Sequence, residues 1–382
     1  MKKNIYIFLN NKLVTIDSVL PTIILIKNKF EAMNITFYVF NKKTFEEINK
    51  NILLIKLVND LGEIKIFGNN QNTKFRILRL LKIILNLLYL IINNFFSKNT
   101  YIHFKALETF PFNILYYTNK KNCFYFEPNC WGYSDNLEKS YNIFFKRDIN
   151  YKTKISLKCF DHLVSYSKES PLVEHARTLN KNIYFLNPSR SATHWLAFCK
   201  KEARKFLNHN VELVKIKKKK IMVLYLIGTF DMVSGLDERT NGYKLFIETI
   251  KILKSKKSIH IIFKPHPAAD SIKMKKILKN LDFKNYTISY MHTSVLAKIC
   301  KFSICNYFSF TLADAWFAGS NVIEITKYDK LMLKLTNGNS IYPEFVDYFL
   351  DINNKKKMLE ILKKNRYQKK GFIKKRFRRN LN

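Results

Sequence analysis

Short apolar runs alternate with segments of helical periodicity along most of this 382-residue chain. The runs are as long as strands and continuously apolar, which is typical of strands buried on both faces of a parallel sheet. Hydrophobic residues make up 47% of the chain, and with only nine glycines and eight prolines it is not collagen-like or of low complexity. The alternation predicts an α/β protein whose parallel sheets are covered by helices.

The alternation falls into two series, separated by a weaker pattern at 206–220. The first series has seven expected strands: Ile5–Leu9, Ile35–Phe40, Glu63–Phe67, Tyr101–Phe104, Cys123–Phe126, His162–Tyr166 and Ile183–Leu186. Its expected helices are Ile16–Asn28, Phe45–Asn59 and a long apolar one from about Thr73 to Phe96. The second series has five expected strands: Ile221–Ile227, Ile259–Lys264, Tyr286–Tyr290, Phe302–Cys305 and Asn321–Ile325. Its expected helices are Gly242–Lys254, Ile272–Leu281, Ser294–Cys300 and Phe310–Phe317. We therefore expect domains at 1–210 and 220–345, and a basic C-terminal helix or tail at 346–382.

Basic residues far outnumber acidic ones: 67 Lys and Arg stand against 29 Asp and Glu, a formal net charge of +38. Such a surface attracts polyanions, among them nucleic acid, anionic lipid and phosphorylated substrates. The chain is also rich in Lys, Asn, Ile and Phe, which an AT-rich coding bias favours. The charge alone therefore does not choose a partner.

Two segments bear on membrane binding. The tail from Lys355 to Asn382 carries nine Lys and four Arg against one Glu, so it is either a solvated end or an attachment to an anionic membrane surface. The expected helix that ends at Phe96 has an uninterrupted apolar stretch of about ten residues, whereas a transmembrane helix needs about 20. It is predicted either to pack in the core or to lie in the membrane interface.

The cysteines and the N-terminus indicate a cytoplasmic protein. The six cysteines show no C-x-x-C pair and no zinc-ligand spacing with histidine, which predicts reduced thiols. The N-terminal segment has only five apolar residues before two asparagines, so it predicts a first strand rather than a signal peptide.

The most specific local pattern is a strand that runs into Lys264-Pro265-His266-Pro267. Each proline fixes its own φ and biases the residue before it toward an extended conformation, so His266 has few backbone states at the carboxyl end of its strand. Ligands of open α/β sheets bind at that edge. The imidazole of His266, with Lys264 beside it, is predicted to contact a phosphate group. The alternative is a rigid turn whose histidine only caps the next helix.

A second motif follows two β-α units later, where the strand ending at Cys305 gives way to a helix. The hydroxyls of Ser309 and Thr311 and the unpaired amides of the first helical turn are suited to hold a phosphate. The alternative is that Ser309 is only an N-cap. Glu324, at the end of the following strand, either binds a ribose hydroxyl or has a plain surface role.

Together these residues resemble the nucleotide-binding half of bacterial capsule and surface-polysaccharide glycosyltransferases of the GT-B fold. The likeness covers roughly residues 220–330 and is closest to the sialyltransferase and Kdo-transferase groups, which use CMP-activated sugars. It implies two Rossmann-like domains whose parallel sheets face a central cleft, and donor phosphate contacts from His266, Ser309 and Thr311. It also implies a carboxylate in the N-terminal half that deprotonates the acceptor hydroxyl.

The segment that best matches such a carboxylate follows the expected strand Cys123–Phe126. Glu127 is the first candidate for the base and Asp135 is the second. Trp131 and Tyr133, between them, are suited to stack on a sugar face, or else they pack within the loop.

The loop after the first strand of the second series is predicted to face the same sheet edge as His266. Gly228 is expected to allow close approach of a ligand, and Arg239 to pair with a phosphate or carboxylate of the donor, although several acids nearby are also typical of an ordinary surface loop. The chain has no P-loop, no G-x-G-x-x-G after a strand and no D-x-D cluster that would require Mg²⁺. We expect a metal-independent enzyme with no cofactor beyond its nucleotide-sugar substrate.

The resemblance implies a glycosyltransferase that moves a sugar from a CMP-linked donor to a glycan or glycolipid acceptor, at the inner face of the cytoplasmic membrane. Transfer of a polyol phosphate from CDP-glycerol is an alternative, because it uses the same phosphate contacts. Nucleic-acid binding through the basic charge is another, but the chain lacks a recognisable reader motif and we expect no nucleic-acid partner. A non-catalytic scaffold at the membrane surface is the third.

Overall fold

Two parallel sheets with interleaved helices appear in the computed structural model, which describes residues 3–10, 13–30, 32–68, 76–128, 157–168, 170–228, 235–267, 269–307 and 309–363. The chain divides into two compact units, and within these ranges the first unit ends at Trp195 and the second begins at Leu196. This division lies upstream of the domain boundary expected near residue 210.

The first unit contains a seven-stranded sheet with the order β3-β2-β1-β4-β5-β6-β7. The strands are β1 (Lys3–Phe8), β2 (Met33–Val39), β3 (Glu63–Ile66), β4 (Lys98–His103), β5 (Cys123–Phe126), β6 (His162–Ser165) and β7 (Asn182–Phe185). The helices are α1 (Leu13–Lys29), α2 (Lys42–Lys50), α3 (Ile52–Leu61), α4 (Arg76–Phe96), α5 (Asn113–Thr118), α6 (Pro171–Thr178) and the start of α7 (Thr193–Asn208).

The second unit contains a six-stranded sheet with the order β10-β9-β8-β11-β12-β13. The strands are β8 (Ile221–Ile227), β9 (Ile259–Pro265), β10 (Tyr286–Ile288), β11 (Phe302–Cys305), β12 (Asn321–Thr326) and β13 (Tyr348–Asp351). The helices that follow α7 are α8 (Val211–Lys219), α9 (Gly242–Lys254), α10 (Ser271–Asn280), α11 (Thr293–Ile299), α12 (Phe310–Phe317), α13 (Lys330–Leu335) and α14 (Lys355–Lys363).

Both sheets are doubly wound. In each, the chain adds two strands on one side of its first strand, then returns to the other side of that strand and adds the rest. Every strand pair is parallel. This is the Rossmann arrangement, and its strand order reverses between β1 and β4 in the first sheet and between β8 and β11 in the second. The expected α/β class with two Rossmann-like domains is confirmed.

Several elements differ from the sequence-based expectations, which included no helix at α5, α6 or α13. The single helix expected at 45–59 is two helices, because Asn51 ends α2 and its side chain accepts a hydrogen bond from the Leu54 N–H at 3.3 Å at the start of α3. The weak pattern at 206–220 is helical in α7 and α8, where Leu213 is the buried residue of a lysine-rich helix. The edge strand β13, which was not expected, pairs with β12.

Helix α4 is held to the core of the first unit on one side only. Leu87 and Leu90 are buried in an aromatic cluster that includes Phe8 and Tyr101. Many of the other apolar residues of α4 are exposed. No helix within the described ranges is both long and apolar enough to span a bilayer.

Candidate functional site

The Lys-Pro-His-Pro segment is fixed to the strand beside it. β9 ends at Pro265, which is in register with Ile227 at the end of β8. The backbone N–H of His266 donates to the carbonyl oxygen of Ile227 at 2.7 Å. The hydrogen-bond pattern of the sheet thus extends to His266 and fixes the position of its backbone.

The imidazole of His266 is open to solvent although protein atoms surround it, and Lys264 is half-buried. Burial, and then the positive charge of Lys264, lower the pKa of His266 from its ordinary value. At neutral pH the ring is therefore neutral, with one nitrogen that donates and one that accepts. It offers a phosphate a hydrogen bond rather than a charge, and the cation at this position is Lys264.

Ser309 begins α12 and is paired with Thr311. The Ser309 hydroxyl accepts a hydrogen bond from the Thr311 N–H at 3.4 Å, and the two hydroxyl oxygens lie 2.8 Å apart. Ser309 is therefore the N-cap of this helix. Both side chains are half-buried, so their hydroxyls lie at the start of the helix and within reach of solvent. A cap in this position remains compatible with an anion at the same helix terminus.

The two motifs lie at the same edge of one sheet. β8 is between β9 and β11, and the register pairs Ile227 with Pro265 on one side and Leu226 with Cys305 on the other. All three strands run in parallel, so His266 and Ser309 both follow carboxyl ends. Adjacent strands are about 4.8 Å apart, which separates the ends of β9 and β11 by about 10 Å. This edge includes the point where the strand order reverses, the usual ligand position in such sheets.

Position 228 must be glycine because Tyr307 lies beside it. A Cβ atom at Gly228 would lie 1.9 Å from the hydroxyl oxygen of Tyr307, a buried residue that directly follows β11 and Asn306. The Tyr307 ring therefore occupies the space beside the Gly228 Cα atom that we expected a ligand to approach. Sequence analysis missed Tyr307, since an aromatic residue after a buried strand looks like ordinary core.

Asn306 fixes the end of β11 through the hydrogen bonds of its side chain. It is buried, and its amide nitrogen donates to the Thr249 hydroxyl at 2.8 Å and to the Ile325 carbonyl at 3.0 Å. Its amide oxygen accepts a hydrogen bond from Tyr225. These contacts join β8, α9, β11 and β12 just beneath the candidate phosphate edge. The signal in the sequence was an asparagine at the end of a buried strand, which pattern analysis does not separate from a turn residue.

Glu324 lies inside β12 and is fully buried. One carboxylate oxygen accepts a hydrogen bond from Tyr328, and the other accepts one from the Ser340 hydroxyl at 2.5 Å. Burial raises the pKa of Glu324 to about 7, and the two hydrogen bonds oppose that shift. Contact with a ribose would require this network to open, so the role predicted for Glu324 stays a prediction.

Arg239 is exposed in the loop that precedes α9. Its N–H donates to the Asp237 carboxylate at 3.0 Å, and its carbonyl oxygen accepts from Lys244 Nζ at 2.9 Å. The backbone is thus ordered by local contacts while the side chain reaches solvent. Its pairing with a donor phosphate remains a prediction.

Glu127, the first candidate for the base, follows β5 in the first unit and is fully buried. Its carboxylate accepts hydrogen bonds from the Ser165 hydroxyl at 2.5 Å and the Ser170 hydroxyl at 2.7 Å. Ser165 ends β6 and Ser170 caps α6, so Glu127 ties together the carboxyl ends of two strands and a helix start. Asp135, Trp131 and Tyr133 lie outside the described residues.

His103 was not among the predicted site residues. It ends β4, in register with Phe8 of β1, where the strand order of the first sheet reverses. The ring is fully buried and packs edge-to-face on Tyr125, with 5.3 Å between centroids. Burial lowers the pKa of His103 to about 3, so the imidazole is neutral at physiological pH. A single histidine inside a strand gave no pattern that distinguished it from core.

No protein-family model and no curated protein matches the chain. Solved structures do match over nearly its full length. The UDP-GlcNAc 2-epimerase of Neisseria meningitidis bound to UDP-GlcNAc has a TM-score of 0.53 at 12% identity, over 96% of this chain and 92% of that one. The UDP-GlcNAc 2-epimerase of Methanocaldococcus jannaschii has a TM-score of 0.52 at 16% identity, over 95% and 94%. S. aureus MnaA with UDP has a TM-score of 0.51 at 12% identity, over 96% and 90%.

At these identities the likeness establishes the fold. Together with the two doubly wound sheets, it confirms the expected GT-B type of α/β architecture.

Proposed function

We propose that this protein transfers a sugar from a nucleotide-sugar donor to a glycan or glycolipid acceptor. The observation that carries the proposal is the common sheet edge of β9, β8 and β11, which His266 follows on one side and Ser309 and Thr311 follow on the other. A solvent-accessible imidazole, a lysine and two hydroxyls at a helix start are the groups that a phosphate site needs.

In the proposed reaction the acceptor oxygen attacks the anomeric carbon, and the bond between that carbon and the donor phosphate oxygen breaks. Negative charge develops on the departing nucleotide. The neutral ring of His266 donates a hydrogen bond to it, and so does whichever of the Ser309 and Thr311 hydroxyls does not donate to the other. Lys264 supplies a positive charge. Donors that are positioned in advance lower the barrier because they need no reorganisation during the reaction.

The proton of the acceptor hydroxyl goes to a carboxylate in this proposal, either Glu127 or Asp135. Glu127 already accepts hydrogen bonds from Ser165 and Ser170 in a fully buried place. To act as the base it must exchange one of these partners for the acceptor. Glu127→Gln and Asp135→Asn variants, compared for turnover under saturating donor, identify which carboxylate takes the proton.

The nucleotide that we propose first is UDP. The resemblance in the sequence implies CMP, whereas the three solved structures described above are named for UDP, UDP-GlcNAc or UDP-GlcNAc 2-epimerase. The acceptor that we propose is a bacterial surface glycan or its lipid-linked precursor, at the cytoplasmic face of the membrane.

Thermal unfolding with UDP, CMP, CDP and GDP tests the donor site, since a ligand that binds only the folded state raises the unfolding temperature. Stabilisation by UDP supports the proposed donor. Stabilisation by CMP alone points to a sialyl- or Kdo-type donor, and stabilisation by CDP alone to CDP-glycerol. The absence of any shift at millimolar concentrations contradicts a nucleotide-sugar enzyme.

Epimerisation of UDP-GlcNAc is a second candidate, favoured by the full-length likeness to two structures named for that activity. The two functions differ in their need for an acceptor. An epimerase converts UDP-GlcNAc into its 2-epimer with no acceptor present, whereas a transferase releases UDP only as the acceptor is glycosylated. Chromatography of the nucleotide pool with and without acceptor distinguishes them.

A further inference from the structure

The outward face of α4 is apolar over the whole length of the helix. Eleven of its large apolar side chains are exposed, among them Ile77 at 75%, Leu85 at 65% and Phe95 at 78%. One stripe recurs at spacings of three and four residues: Ile77, Leu81, Ile84, Leu88, Ile92 and Phe95. A surface helix of a globular protein carries polar side chains at such positions. A contiguous apolar face of this size marks an interaction site.

The opposite face anchors α4 to the first sheet. Leu87 and Leu90 are buried in the aromatic core, and the Leu90 carbonyl accepts a hydrogen bond from the Tyr101 hydroxyl at 3.3 Å. Asn86 donates to the Phe67 carbonyl at 3.0 Å. These contacts hold the middle of α4 against the first sheet and leave its apolar face on the surface of the first unit.

The charged residues of α4 are all basic, which favours an anionic partner. α4 contains no acidic residue, and its first two turns contain Arg76, Arg79 and the exposed Lys82. Beyond its other end, Lys98 is exposed.

An exposed aromatic side chain and a lysine at the neighbouring helix α5 enlarge this apolar and basic surface. Asn94 of α4 donates to Thr118 of α5 at 3.5 Å, so the two helices lie side by side. Tyr117 of α5 is exposed, and the Lys120 ammonium lies 5.4 Å from its ring centroid. Aromatic rings with adjacent lysines suit the boundary between acyl chains and headgroups.

We propose that α4 is a membrane-docking helix that lies in the interface of an anionic lipid bilayer. This inference deepens, and rests on, the membrane-associated function proposed above. The apolar stripe enters the acyl region, while the cations at both ends of the helix contact anionic headgroups. A second copy of this chain is a poorer partner, because two molecules that each carry a formal +38 repel each other.

Cosedimentation with vesicles tests the inference. The full-length protein is mixed with vesicles of phosphatidylcholine alone or with phosphatidylglycerol, at low salt and at 0.5 M NaCl. We expect binding to the anionic vesicles, and a fraction that survives high salt because apolar contacts are not screened. The Leu85→Gln/Leu88→Gln variant, altered only at exposed positions, should bind about tenfold more weakly at high salt.

The matched control is Ile272→Gln on α10. Ile272 is 81% exposed, so this variant loses an exposed apolar side chain outside α4. We expect it to bind vesicles like the wild type. Equal binding by the wild type and the α4 variant at high salt overturns the inference, as does the absence of vesicle binding. A dimer in sedimentation velocity that the α4 variant dissociates, without vesicle binding, overturns it in favour of self-association.

The nucleotide test is independent of this one. Vesicle binding is measured without nucleotide, and the thermal shift with UDP is measured without vesicles. The α4 variant should keep the same UDP-induced shift as the wild type. Vesicle binding with no nucleotide shift contradicts the transferase alone, and the reverse result contradicts the docking helix alone.

Discussion

His266 combines an exposed ring with a backbone held by the sheet. Its N–H is bonded to Ile227, and the prolines on both sides restrict its dihedral angles. The exposed ring lies where a ligand can reach it, while the backbone that carries it is fixed. The carboxylates of Glu127 and Glu324 differ from His266, because both are fully buried and both oxygens of each accept hydrogen bonds.

Replacing His266 tests its contact with the leaving phosphate. His266→Ala should lower turnover by about 10²-fold or more, because one positioned hydrogen-bond donor to the developing charge is lost. His266→Gln, which keeps a donor, should recover part of the activity. The measurement is steady-state turnover of variants whose thermal unfolding matches the wild type. Near-normal turnover of folded His266→Ala would show that the histidine serves only the turn.

At the scale of elements, the carboxyl ends of β8, β9 and β11 and the first turn of α12 build the candidate site. The hydrogen bonds of Asn306 hold the strand ends together. The Tyr307 ring lies beside position 228 and requires glycine there. The start of α12 is capped by Ser309, whose hydroxyl is also a candidate ligand contact. The cap contributes to the unfolding free energy, whereas a phosphate contact contributes to nucleotide affinity. The two roles of Ser309 can therefore be measured separately.

Ser309→Ala should remove both contributions. Loss of the cap costs about 1 kcal/mol of unfolding free energy, and loss of a hydrogen bond to an anion should weaken UDP binding about tenfold. Asn41→Ala is the matched control, because Asn41 caps α2 in the first unit and accepts from the Thr44 N–H at 2.7 Å. Urea unfolding and calorimetric titration with UDP measure the two effects. If both variants keep the same UDP affinity, Ser309 is a cap only.

At the scale of the whole molecule, both sheets follow one scheme, and in both the polar groups of interest gather at the carboxyl edge. The stability of such a fold depends on pH through its buried titratable groups. The folded pKa of Glu324 is about 7, raised from an ordinary 4.5, so unfolding releases a proton between these values. The stabilisation that protonated Glu324 adds to the unfolding free energy is fully present below pH 4.5 and is lost as the pH rises through 7.

Glu324→Gln should remove this dependence. The unfolding free energy of the variant, relative to the wild type, should rise by up to about 3 kcal/mol from pH 4.5 to pH 8. Urea unfolding at several pH values measures the difference. Glu248→Gln is the control: the pKa of Glu248 is lowered, chiefly by its hydrogen bond with Lys251, so above about pH 6 that carboxylate is ionised in both states and the effect of the substitution should stay constant to pH 8. A difference that does not change with pH would contradict the buried titration.

Some of this structure could be predicted from the sequence because the information is local. Continuous apolar runs identified β8 and most of β9, and the helical period identified α9 with its observed ends. The bracketing prolines indicated a strand end at His266, and parallel strands then placed Ser309 at the same edge. Helix α8 and strand β13 were among the elements missed, because a lysine-rich helix and a half-buried edge strand carry little periodic signal.

The sequence by itself determined the order of strands and helices and the chemistry available at the strand ends, since both follow from neighbouring residues. Tertiary structure decided which of those groups reach solvent. Glu127 and Glu324 look like His266 in the sequence, as polar residues at or near strand ends, yet packing buries the first two and exposes the third. It also decided that α4 is buried on one side and open on the other. The physical reason is that burial depends on what the rest of the chain packs against a residue, and no local pattern contains that information.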